Sequence, residues 1–97
     1  MPWGHRSYWG TKQATREVRE GPTTKLRYHD TDVVEFTPTH VRLNTGGYST
    51  RTTKKRMNEA ATHYGLDYAV HQKNFQWFVK RPGQKPRRFM DTITFRR

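Results

Sequence analysis

The chain has 97 residues, no cysteine, 31% hydrophobic residues and a mean hydropathy of −1.17. Those values exclude disulfides and thiolate metal sites, and no apolar run approaches the roughly 20 residues that cross a bilayer. Nineteen Lys and Arg against eight Asp and Glu give a net charge of +11 and a pI near 10.6, a balance that suits nucleic acid, an acidic protein or an anionic membrane as partner. The plainer alternative is a merely soluble cationic surface.

Residues 1–22 show no sustained period. Trp3, Tyr8 and Trp9 are mixed with Arg6, Lys12, Arg16 and Arg19, and Gly4, Gly10, Gly21 and Pro22 punctuate them. The segment reads as a basic, aromatic N-terminal arm that either orders on contact or docks on the domain. A short helix over 13–20 would carry only Ala14 and Val18 as apolar residues. Residues 23–97 then form a single domain.

Residues 25–29 suit a first strand, with Leu26 and Tyr28 on one face. His29, Asp30, Thr31 and Asp32 follow, and imidazole with carboxylate is metal-ligand chemistry. The same residues make a polar turn, and we expect the turn and no metal. Residues 33–36 and 41–43 form a hairpin: Val34 and Phe36 share one face, Val41 and Leu43 can meet them, and Pro38 suits the turn.

Residues 44–64, NTGGYSTRTTKKRMNEAATHY, hold the convincing helix. Gly46-Gly47 make a turn and Ser49 or Thr50 is the expected N-cap. Thr53, Met57, Ala60, Ala61 and Tyr64 repeat at helical spacing, and Gly65 is placed to end the helix. Lys54, Lys55 and Asn58 are expected off the apolar face. A helix start favours anions, so Arg51, Lys54, Lys55 and Arg56 crowded there suggest a bound phosphate. The G-x-x-x-x-G-K-[ST] spacing of a P-loop is absent.

The segment GGYSTRTTKKRMN resembles a signature of short phage-encoded proteins, GG-aromatic-x-T-x-T-T-K-x-R-M-N followed by an aromatic hairpin. The likeness spans about residues 33–80. It implies a phage origin and a place in the cytoplasm of an infected cell, and it carries no mechanism.

Residues 67–80 read as a second hairpin. With Lys73-Asn74 as its two-residue turn, Gln72 faces Phe75, Val70 faces Trp77 and Tyr68 faces Val79, leaving Ala69 with Phe78 and His71 with Gln76 on the other side. Residues 81–88, RPGQKPRR, form a basic loop, and 89–95 a final strand with Ile93 and Phe95 inward. The order β-β-β-α-β-β-β predicts an α+β fold, a small and mostly antiparallel sheet with one helix packed on it.

Five scattered histidines and dispersed carboxylates select no catalytic arrangement, and no cofactor is implied. The expected activity is nucleic-acid binding, DNA or RNA, through phosphate contacts. The candidate residues are Tyr48, Ser49, Thr50, Arg51, Thr52, Lys54, Lys55 and Arg56, joined by Lys80, Arg81, Lys85, Arg87 and Arg88. A protein-interaction role, as virion component or inhibitor of an acidic host protein, is the alternative. A small metal-free ribonuclease is a third. Aromatic residues add stacking surfaces for unpaired bases: Phe75 and Trp77 are expected in the core, whereas Phe78 and Tyr48 are open.

Overall fold

A computed structural model of the chain describes Trp9, Lys12 and residues 14–97. In chain order the described elements are β1 (Thr15–Glu20), β2 (Thr23–Tyr28), β3 (Thr31–Phe36), β4 (His40–Asn44), α1 (Arg51–Tyr64), β5 (Ala69–Lys73), β6 (Gln76–Lys80), β7 (Arg87–Phe89) and β8 (Thr92–Arg96). Every strand pair is antiparallel. The class is α+β, as the residue periods predict, with one helix among the described residues. The strands divide between two sheets, of order β1-β2-β3-β4-β8 and β5-β6-β7.

The first four strands form a meander built by local turns. His29-Asp30 is the polar turn between β2 and β3, whose ends pair as Tyr28 with Thr31. Thr37 and His40 close the turn around Pro38, with the Thr37 N–H donating to the His40 carbonyl at 2.9 Å. Val34 pairs with Leu43 and Phe36 with Val41, the hairpin expected. One irregularity matters: the β2–β3 register shifts between Leu26 and Arg27, which leaves Val33 as an extra residue. A bulge re-aims side chains, and here both Val33 and Val34 are buried.

Residues 15–20 form strand β1, which no apolar period predicts, in place of a helix over 13–20. Residues 15–20 pair along their whole length with β2, so the division between an arm and a domain at residue 22 runs through a hairpin turn. The reason β1 escapes a periodic reading is its composition. It is an edge strand carrying Arg16, Glu17, Arg19 and Glu20, and edges are commonly blunted by charge. Trp9 is fully buried. Its indole N–H donates to the Tyr64 hydroxyl at 2.8 Å, and that hydroxyl donates to the Glu17 carboxylate. The rest of the arm reading falls on residues 1–8, 10, 11 and 13, outside the described residues.

On α1, Thr53, Met57, Ala60 and Ala61 are buried and Tyr64 is partly buried, the face its spacing predicts. Thr50 is the N-cap, its hydroxyl accepting from the Thr53 N–H at 3.2 Å. Gly65 ends the helix at φ 64°, a left-handed conformation that favours glycine. Asn58, expected off the apolar face toward solvent or a ligand, turns to β5 instead. Its amide donates to the Val70 carbonyl at 2.8 Å and accepts from the Val70 N–H at 2.6 Å. That pair of bonds fastens the helix to the edge of the smaller sheet.

The second hairpin keeps the predicted faces in a shifted register. Val70 pairs with Val79, His71 with Phe78, Gln72 with Trp77 and Lys73 with Gln76. The two-residue turn is therefore Asn74-Phe75, both at positive φ, 52° and 64°. Such turns need φ above zero at both positions, and Asn accepts it far better than Lys at the first. Each partner moves by two residues, so Val70, Trp77 and Val79 remain buried. Phe75 does not: it leaves the expected apolar face for the turn.

The final strand is two strands. Phe89 pairs with Trp77 in the smaller sheet, whereas Ile93 and Phe95 pair with Leu43 and Val41 in the larger. The chain crosses between the sheets at Met90-Asp91, where the Thr45 N–H donates to the Asp91 carbonyl at 2.8 Å. The Thr45 hydroxyl donates to the Asp91 carboxylate at 3.2 Å.

Candidate functional site

The loop from β4 to α1 is built by its own polar groups. Asn44 accepts from the Gly46 N–H at 2.9 Å and the Thr45 hydroxyl from the Gly47 N–H at 3.2 Å. The Tyr48 N–H donates to the Thr45 carbonyl and the Thr50 N–H to the Tyr48 carbonyl. Gly46 sits at φ 65°, and a Cβ there would fall on the Thr31 side chain. Glycine is thus explained by close approach and backbone shape. With these N–H groups already engaged, the loop offers a ligand its side chains more than a backbone cradle.

Those side chains differ in what they can reach. Tyr48, Ser49, Thr50 and Arg51 are exposed, as is Lys55, while Thr52 and Lys54 are partly buried. No acidic residue stands in the first turn of α1, where a carboxylate would ordinarily be favoured. Arg56 leaves the group. It is buried, donating through Nε to the Thr15 hydroxyl at 3.0 Å and through a terminal nitrogen to Glu59 at 2.8 Å. Lys12 meets the other Glu59 oxygen at 3.2 Å. This cation joins the helix to β1, and a phosphate would have to displace its partners.

The basic loop also divides. The Lys80 ammonium donates to the carbonyls of Arg81, at 2.9 Å, and Gln84, folding the loop back on its base. Arg81 donates to the Arg96 carbonyl and lies 4.6 Å over the Phe95 ring. Both belong to the far end of β8, away from the start of α1. Lys85, Arg87 and Arg88 are exposed. Arg88 does meet the helix start, since it lines one depression with Ser49, Phe75, Trp77, Met90 and Asp91. The structure therefore brings Ser49 and Arg88 together and leaves Lys80 and Arg81 apart.

Charge is distributed unevenly along the sequence. Three carboxylates of β1 and β3 are engaged by neighbours: Glu17 by Arg19 at 2.8 Å, Glu20 by Lys25 at 2.7 Å and Asp32 by Arg27 at 2.7 Å. Among the described residues, none of the ion pairs includes Arg51, Lys54, Lys55, Lys85, Arg87 or Arg88. From residue 44 onward twelve Lys and Arg stand against three Asp and Glu.

Two residues of this surface were not singled out from sequence as exposed. Phe75 is 94% exposed and Met90 74%, beside Tyr48 at 71%. The signal for Phe75 was the Asn74 that precedes it, an αL-tolerant residue that sets the turn one position later. Met90 carried none, because it sits where the chain changes sheet. Elsewhere, among the described residues no group of three or more His, Asp or Glu is placed to hold a metal ion. No described helix is long and apolar enough to cross a membrane.

A family model described as Kyanoviridae Gp96 protein matches residues 5–96 of the chain. No curated protein and no solved structure matches it. The chain belongs to this phage protein family.

Proposed function

We propose that this Gp96-family protein binds nucleic acid, chiefly through phosphate contacts, at the start of α1 and along β7. The observation that supports the reading is the set of exposed cations that have no acidic partner among the described residues, Arg51, Lys55, Lys85, Arg87 and Arg88. Exposed like charges on a small domain repel one another, and a polyanion relieves that repulsion while releasing its counterions. The hydroxyls of Ser49 and Thr52 stand among these cations as further phosphate donors. Docking on an acidic host or virion protein is the second reading. The exposed Phe75 and Met90 favour it, because apolar side chains amid charge also suit a protein interface.

A salt titration of binding to a labelled oligonucleotide tests the first reading. Each lost phosphate contact lowers the slope of log K against log salt by about 0.7 to 0.9. Arg51→Ala with Arg88→Ala is expected to weaken binding at low salt and flatten the slope by about twice that amount. Unchanged binding by the double variant across the salt range would place the site elsewhere. Salt-independent binding by the parent, with a nuclease-resistant complex on a protein, would move the second reading to the front.

A further inference from the structure

We propose that the nucleic acid held at this surface is single-stranded, with an unpaired base stacked on Phe75. The inference rests on the nucleic-acid reading above and names its ligand more closely. Phe75 occupies the second position of a hairpin turn at φ 64°, where glycine is the preferred residue. It is 94% exposed there. A turn chosen for folding alone gains nothing from a large apolar ring in a left-handed conformation that disfavours it. The ring stands ready for a ligand that has a flat apolar face of its own.

Its surroundings say which ligand. Phe75 and Met90 line the depression that Ser49 and Arg88 also line. The acid of that depression, Asp91, is bonded to Thr45. Lys73 adjoins the turn and is exposed. Behind it, on the outward face of the smaller sheet, His71 and Phe78 stack at 5.4 Å with 15° between their planes, and Phe78 pairs with Arg88. Aromatic faces alternate here with cations. Single strands offer both unstacked bases and phosphates to such a surface, whereas a duplex hides the faces of its bases.

Binding of equal-length single-stranded and duplex oligonucleotides to the parent, Phe75→Gly and Phe75→Trp decides the matter, at one salt concentration and with thermal melts alongside. The parent is expected to prefer the single strand. Phe75→Gly should lose about tenfold in single-strand affinity, keep the parent's duplex affinity, and melt no lower than the parent because glycine suits the turn. Phe75→Trp should retain single-strand binding. Equal parental affinity for both forms, or an unchanged single strand in Phe75→Gly, overturns the inference and leaves phosphate binding standing. A duplex preference that depends on Phe75 overturns it too, in favour of a wedge between base steps. A parent that binds neither form removes the nucleic-acid reading itself.

Discussion

Lys55 and Arg56 are consecutive cations on α1, one exposed and the other buried. About 100° of helical rotation separates them, enough to turn Arg56 onto the Thr15 hydroxyl and the Glu59 carboxylate. Burying a guanidinium is tolerable only with such partners. Replacing Arg56 by Met keeps the apolar stem and loses the bonds, so we expect a loss of about 1–3 kcal/mol. Lys55→Met should stay within about 0.5 kcal/mol of the parent. Urea midpoints at unchanged slope measure both, and equal midpoints would show that Arg56 is no joint. In sequence the run Lys54-Lys55-Arg56 reads as one cationic block. Glu59 three residues on was a visible clue to a helical pair. Thr15 was not, because its strand was hidden.

At the scale of elements, legibility followed apolar period. β4 and the β5–β6 faces announce themselves through Val41, Leu43, Val70, Trp77 and Val79, every second residue turning inward, and β3 through its apolar Val33-Val34. β1 alternates charges instead, and pairing with β2 makes it a strand. The Phe89–Ile93–Phe95 run keeps an unbroken two-residue phase, so nothing in its period marks the change of sheet at Met90-Asp91. Strand register is hard to read from the sequence, since it depends on which residues accept positive φ. The candidate site suffered likewise: its cations were legible, but their partners lie in elements that only the tertiary structure brings near. One consequence concerns residues 1–22. Deleting them removes β1, bares the edge of β2 and takes Trp9 from the core. We expect the cooperative melt to be lost or shifted strongly downward by circular dichroism. A deletion product melting as the parent does would make β1 an accessory strand.

At the scale of the whole molecule, two of its acids, Glu17 and Glu59, tie the helix and its surroundings together. Burial raises the pKa of Glu17, but bonds from Arg19 and Tyr64 outweigh it and hold the carboxyl below its ordinary value of 4.5. Glu59 is likewise raised by burial and lowered further by Arg56 and Lys12. A carboxyl with a depressed folded pKa stabilises fully above its unfolded value, and the contribution disappears as pH falls through the folded one. The melting temperature should therefore drop between about pH 5 and pH 3. Glu17→Gln should drop less over the same window, being already without one of these groups. An identical decline in parent and variant would show that Glu17 contributes none of it. The placing of β8 has a different kind of consequence. The strands β1 to β4 meet sequence neighbours and can pair as the chain emerges. β8 is anchored by Thr45 and Asp91, 46 residues apart, and must await the helix and the second hairpin. At roughly 5–20 residues per second of synthesis, the flank of β4 stays open for a few seconds. During that interval the nascent molecule is an unfinished sheet, and a β8 from another copy competes with its own to close it.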